Sequence, residues 1–179
     1  MKHGYVLLAM FLISGCQTGL QSGPDTSTET LRAGWVLTLH EMLTIPGQKA
    51  SVYLQNGRGV SDELYDQYYP NCRLEVRNPQ AKPQTIQADR FNVYRVKWTE
   101  EDVMLKPHLY ASNRIMLASG STADVYATIL YLRSPRQAEV TQLICEQWED
   151  PSIDAEHLTL QQIRSTLGKI FTLQPGNNK

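Results

Sequence analysis

Cys72-Arg73-Leu74-Glu75-Val76-Arg77 is the stretch that decides the fold class. Cys72, Leu74 and Val76 alternate with Arg73, Glu75 and Arg77. Successive side chains on a β-strand point to opposite faces, so the three apolar residues share a buried side and the three charged ones a wet side. The same alternation aims Cys72 inward, as a structural bridge requires.

The chain keeps this habit on both sides of that strand. Upstream, Trp35 to Glu41 and Ala50-Ser51-Val52-Tyr53-Leu54-Gln55 read as strands on either side of the Pro46-Gly47 turn, and Asn56-Gly57-Arg58-Gly59 reads as a loop. Ser61 is placed to cap a short helix near 61–69. Asp62 and Glu63 would lie in its first turn, Leu64 and Tyr68 on its buried face, and Pro70 would end it. Downstream, Asn78 to Pro83 carries two prolines and is a connection. Phe91 to Trp98 is a long β-type run of mixed facing, and Asn113 to Leu117 is a further strand closed by the Ser119-Gly120-Ser121 turn. Asp124 to Arg133, rich in Val, Tyr, Ile and Thr, reads as a central strand partly covered on both faces. A turn at Ser134-Pro135-Arg136-Gln137 returns the chain into Glu139 to Trp148, where Leu143 and Cys145 share a face.

The end changes character. Thr159-Leu160-Gln161-Gln162 fits a capping box, Leu160, Ile163 and Leu167 recur at helical spacing, and Gly168 is a natural C-cap, so a C-terminal helix is predicted near 159–168. Phe171-Thr172-Leu173 resumes an extended segment, and Pro175 to Lys179 reads as a tail. Strands in a meander with one late helix indicate a mainly β, α+β domain: an antiparallel β-sandwich or partly open barrel with a packed helix.

The beginning has the layout of an export signal. Lys2 supplies the positive charge, Val6 to Ile13 is apolar throughout, and Ser14 and Gly15 precede Cys16. The apolar run is short of the roughly 20 helical residues that a bilayer core requires. Ile13-Ser14-Gly15-Cys16 resembles the lipobox of bacterial lipoproteins, a resemblance confined to about the first sixteen residues. It implies cleavage before Cys16 and acylation of that thiol, and Gln17 in place of an Asp implies sorting to the outer membrane. The expected organisation is a signal peptide at 1–15, a lipidated flexible tether at 16–31, one globular domain at 32–175 and a tail at 176–179.

With Cys16 acylated, Cys72 and Cys145 remain, in an oxidising compartment where pairs close. A structural disulfide between them is expected; two separately buried thiols are the alternative. No Cys-x-x-Cys is present to make them redox-active. The formal net charge is −1, and loss of Lys2 shifts it one unit further negative, which argues against nucleic-acid binding.

Catalytic and metal signatures are lacking. His40, His108 and His157 are widely separated, with no His-x-x-x-His pattern, and no Gly-x-Ser-x-Gly elbow occurs. Asn56-Gly57-Arg58-Gly59 lacks the Lys-Ser/Thr ending of a phosphate-binding P-loop. Glu100-Glu101-Asp102 beside Trp98 and Glu149-Asp150 beside Trp148 are the carboxylate clusters that acid–base chemistry could use. Tyr65, Tyr68 and Tyr69 offer a recognition face instead, with His108 as a further candidate, since tyrosine is apolar in its ring and polar at its tip. These features point to a non-enzymatic lipoprotein without a cofactor, held on the periplasmic or exposed side of the outer membrane by its lipid. Its partner would be an envelope protein or glycan. An inhibitor of an envelope hydrolase such as lysozyme, and a hydrolase assembled from distant loops with His108, are the alternative classes.

Overall fold

The structure, a computed structural model of the chain, describes residues 30–104, 122–154 and 156–176. In chain order these form β1 (Trp35–Leu39), β2 (Leu43–Ile45), β3 (Ser51–Gln55), β4 (Arg58–Val60), β5 (Asn71–Val76), β6 (Gln84–Ile86), β7 (Asp89–Met104), β8 (Thr122–Arg133), β9 (Val140–Glu149), α1 (Leu160–Leu167) and β10 (Phe171–Pro175). The alternating segment is β5. It lies between β3 and β9, and its register sets Cys72 opposite Cys145 on β9 and Leu54 on β3. The two cysteines form a disulfide that joins positions 73 apart in sequence, and both are fully buried.

One antiparallel sheet holds eight strands in the order β10-β1-β7-β8-β9-β5-β3-β4, and β2 pairs with β6 in a two-stranded ribbon. The sheet curls into a half-barrel. The curl can be deduced from α1, which packs against β10 at one edge and against β5 and β3 towards the other. In a flat sheet β10 and β5 would stand about 24 Å apart at ordinary strand spacing. An eight-residue helix is only about 12 Å long, so it reaches both sides only because the sheet wraps around it. Leu37, Leu39, Phe91, Leu130, Leu143, Leu74, Leu54, Ile163 and Leu167 fill the inner, helix-facing side and are almost entirely buried.

α1 is closed at both ends. Thr159 Oγ1 accepts from Gln162 N at 3.2 Å while Gln162 Oε1 accepts from Thr159 N at 2.9 Å, completing the capping box. At the other end Gly168, with φ +56°, donates its N–H to Arg164 O at 2.9 Å. This end abuts the β3–β4 hairpin, where Gly57 N donates to Thr166 O at 2.9 Å. Asn56 and Gly57, both at positive φ, make the two-residue turn whose twist matches antiparallel strands.

Two expectations are corrected, and two short strands are added. No helix forms over 61–69, where the chain runs through successive turns: Leu64 N and Tyr65 N both donate to Ser61 O, at 3.0 and 3.2 Å, and Tyr69 N to Asp66 O at 3.2 Å. Asn56–Gly59 is not a loop throughout, because Arg58 and Gly59 belong to β4. The short strands β2 and β6 were not anticipated: three residues are too few to show a period, yet Leu43, Ile45 and Ile86 are buried in the core. The mixed facing of Phe91 to Trp98 has a local cause, a register shift between Val93 and Arg95 that inserts Tyr94 and swaps the side taken by the residues after it. Cys16, His108, the expected strand Asn113–Leu117 and the Ser119–Ser121 turn lie outside the described residues.

Candidate functional site

The turns from Ser61 to Pro70 lie over the outer face of the sheet, the side away from α1. Tyr53 of β3 and Trp148 of β9 point to that side, since their neighbours Leu54 and Cys145 point inward. Tyr65 stacks on Tyr53 with centroids 4.1 Å apart, and Tyr68 meets Trp148 edge-on at 6.5 Å. Burial, reinforced by Tyr53, pushes the Tyr65 phenol up to about 12. Reciprocal bonds between the Gln55 side chain and the Asp66 backbone, at 2.7 and 3.0 Å, pin the loop. Trp148 N adds a backbone bond to Gln67 O at 2.9 Å, and Asn71 Nδ2 one to Tyr69 O at 3.1 Å. The pinned loop leaves Leu64, Tyr68 and Tyr69 at 78, 46 and 63 % exposure. Of the sequence-derived candidates, Tyr65 packs on Tyr53 and Tyr68 on Trp148, and Tyr69 is exposed on the same pinned loop, which makes a shelf across β3 and β9.

Beneath the shelf Arg73 lies between two carboxylates. Its Nε donates to Glu75 Oε1 at 2.8 Å and its Nη1 to Glu146 Oε1. Glu146 is buried and Arg73 half-buried, and Gln142 Nε2 donates to the second oxygen of Glu75 at 2.6 Å. Asn71 Oδ1 and Trp148 Nε1 are buried and have no hydrogen-bond partner among the described residues.

The acidic clusters behave differently. Register sets Asp102 opposite Asp124 and Asp124 opposite Glu149, so carboxylates from separate sequence clusters form one row across β7, β8 and β9. Glu100 and Tyr126 occupy the adjoining row. Burial raises the Asp124 carboxyl above its ordinary range, with Asp102 beside it acting in the same direction. His157 stands edge-on to the Tyr126 ring at 5.5 Å, with Nε2 at 3.3 Å from Thr99 O. Trp98 and Trp148, the aromatic neighbours of the two clusters, point to opposite faces of the sheet: Trp98 is level with inward-facing Thr128 and Cys145. His40 Nε2 lies 2.6 Å from Thr172 Oγ1 and ties β1 to β10. Among the described residues no group of three or more His, Cys, Asp or Glu side chains is arranged to hold a metal ion.

Among the described residues two cavities stand out, the first adjoining the aromatic loop through Tyr53 and Ser61 and the second apart from it. One, of about 490 Å³, runs between β2 and the β3–β4 hairpin, with the Lys49–Asp62 ion pair in its wall. The other, of about 350 Å³, is lined by Arg77, Tyr94, Arg133 and Thr141 among others. Sequence reading missed the second, because its residues come from β7, β8, the start of β9 and the segment after β5. The Tyr94-Arg95 and Tyr131-Leu132-Arg133 spacings were its one visible trace. Compared with known protein families, curated proteins and solved structures, the chain matches none.

Proposed function

We propose that this protein is a non-enzymatic accessory lipoprotein of the outer membrane. It is anchored by acyl chains on Cys16 and presents its β-rich domain to a protein or glycan partner in the cell envelope. The lipobox-like Ile13-Ser14-Gly15-Cys16 supports the address. The observation that carries the binding role is the shelf of Leu64, Tyr68 and Tyr69, exposed together on a loop pinned to the disulfide-linked part of the sheet. Tyrosine rings on a fixed backbone make good recognition surfaces, because they bury much area while losing little conformational freedom. The Cys72–Cys145 bridge holds β5 and β9 together directly behind that loop.

The test is crosslinking in intact envelopes, followed by recovery of the full chain and sedimentation with purified cell wall. The unmodified chain should retain a partner protein or the wall polymer. The Tyr68→Ala/Tyr69→Ala variant, which removes two exposed rings, should lose it by at least about tenfold, as expected for central interface aromatics. Equal recovery by both forms, or no specific partner for either, would refute the binding role.

A further inference from the structure

The outer face of β7 and β8 carries a second, chemically distinct surface. Arg90, Arg95, Lys97 and Arg133 are exposed there, and Arg77 joins them just beyond β5. The register shift after Val93 places Tyr94 beside Tyr131, with ring centroids 6.0 Å apart. Arg95 lies 5.3 Å from the Tyr131 ring and Arg133 4.8 Å from the Tyr94 ring, so each guanidinium is held over an aromatic face. Arg133, Arg77 and Tyr94 also wall the cavity of about 350 Å³, which is at the small end of ligand pockets.

Among the described residues these cations have no acidic partner in an ion pair. Among the described residues Lys49, Arg73 and Arg136 are ion-paired, whereas Arg77, Arg90, Arg95, Lys97 and Arg133 form no ion pair. The nearby carboxylates are engaged elsewhere: Glu75 with Arg73 and Gln142, Asp89 with Arg136 and Ser134, Glu139 with Asn78. A cluster of like charges held by rings and left unneutralised is complementary to an anion. A guanidinium fork suits a phosphate in particular. Gly34 N donates to Val93 O at 2.8 Å, so the chain leading from the N-terminal side runs onto β7 next to Tyr94.

From this juxtaposition we infer that the Arg77–Tyr94–Arg133 cavity and the surrounding cations bind the phosphate headgroup of an anionic membrane lipid, seating the domain on the bilayer. The choice of a lipid source rests on the proposed anchoring at Cys16; the charge pattern and the cavity do not. The tyrosine rings would lie at the headgroup level that such amphipathic side chains favour.

The experiment uses the chain from position 16 onward carrying Cys16→Ser, which has neither the apolar leader nor an acylatable thiol, so that its result is independent of the anchor. Binding is read by sedimentation with phosphatidylcholine vesicles, with and without phosphatidylglycerol. The chain should bind the phosphatidylglycerol vesicles preferentially, release them as salt rises, and be displaced by glycerol phosphate. Arg77→Gln and Arg133→Gln should each weaken binding about fivefold, and the pair about thirtyfold, as expected for charges at an anionic surface. Lys169→Gln, which removes a charge between α1 and β10, should leave binding unchanged, and unaltered thermal unfolding should accompany every variant. Equal binding to both vesicle types, or indifference to the Arg77 and Arg133 changes, would overturn the inference. So would glycerol phosphate binding without vesicle binding, or a self-association that needs the same arginines and the Asp102–Asp124 row.

Discussion

At the scale of single residues, two buried carboxylates carry most of what can be tested. Asp89 is buried where β7 begins and ties that strand to the β8–β9 turn. Its carboxylate accepts from Ser134 Oγ at 2.7 Å, Arg136 Nε at 3.0 Å, Gln137 Nε2 at 3.1 Å and Arg90 N at 2.7 Å. Burial alone would raise its pKa, but these donors outweigh burial and hold the carboxyl far below the ordinary range. A carboxyl depressed in the folded state stabilises above its unfolded pKa and loses that contribution as pH falls towards the folded value. Urea unfolding should therefore show stability falling below about pH 4, and Asp89→Asn should flatten that part of the profile. Glu146 is the second case. Glu146→Gln leaves Arg73 with a weakened partner in a half-buried site and should cost about 2 kcal/mol, less than breaking a fully buried pair; an unchanged urea midpoint would contradict the assigned geometry. Neither network was legible in the sequence. Arg73 and Glu75 read only as the wet side of a strand, since the position of Glu146 depends on a pairing 73 residues distant.

At the scale of elements, legibility followed how much of an element's fate is local. β5 shows its period because one face is buried and the other wet along its whole length. α1 was predicted with both of its caps, because Thr159, Gln162 and Gly168 satisfy its ends without help from distant residues. The 61–69 segment had a helical start signal, but its polar groups found other partners. Asp66 Oδ1 accepts from Tyr68 N at 3.0 Å, and Gln55 takes the Asp66 backbone. Such side-chain bonds to the backbone compete with a helix, and here they win. The close approach of α1 to the β3–β4 turn gives the element-scale test. A Cβ added to Gly168 would overlap the Gly57 backbone and occupy a positive-φ position, so Gly168→Ala should cost about 2 kcal/mol or more. Thr159→Ala, which removes only the cap, should cost about 1 kcal/mol. Equal costs for the two would show that the glycine contact does not form.

At the scale of the whole molecule, a near-neutral net charge conceals a division. Arginines and Lys97 gather on the outer face near the start of β7, and carboxylates gather across β7, β8 and β9 at the strand ends around Asp102. The strand pattern alone placed the fold class, whereas the order of strands and the two charged regions required pairings between distant segments. The disulfide spans that distance. Replacing both Cys72 and Cys145 by Ala should lower stability by about 4 kcal/mol for a closed loop of this length. Mass measurement on the non-reduced chain should find no free thiol at either position.

The proposed lipid anchor at Cys16 is tested most directly by the mass of the N-terminal peptide from the protein purified out of its native membrane. An anchored protein should yield a peptide that begins at Cys16 and carries diacylglyceryl and acyl groups. A peptide that begins at Met1, or an unmodified Cys16, would contradict the anchor.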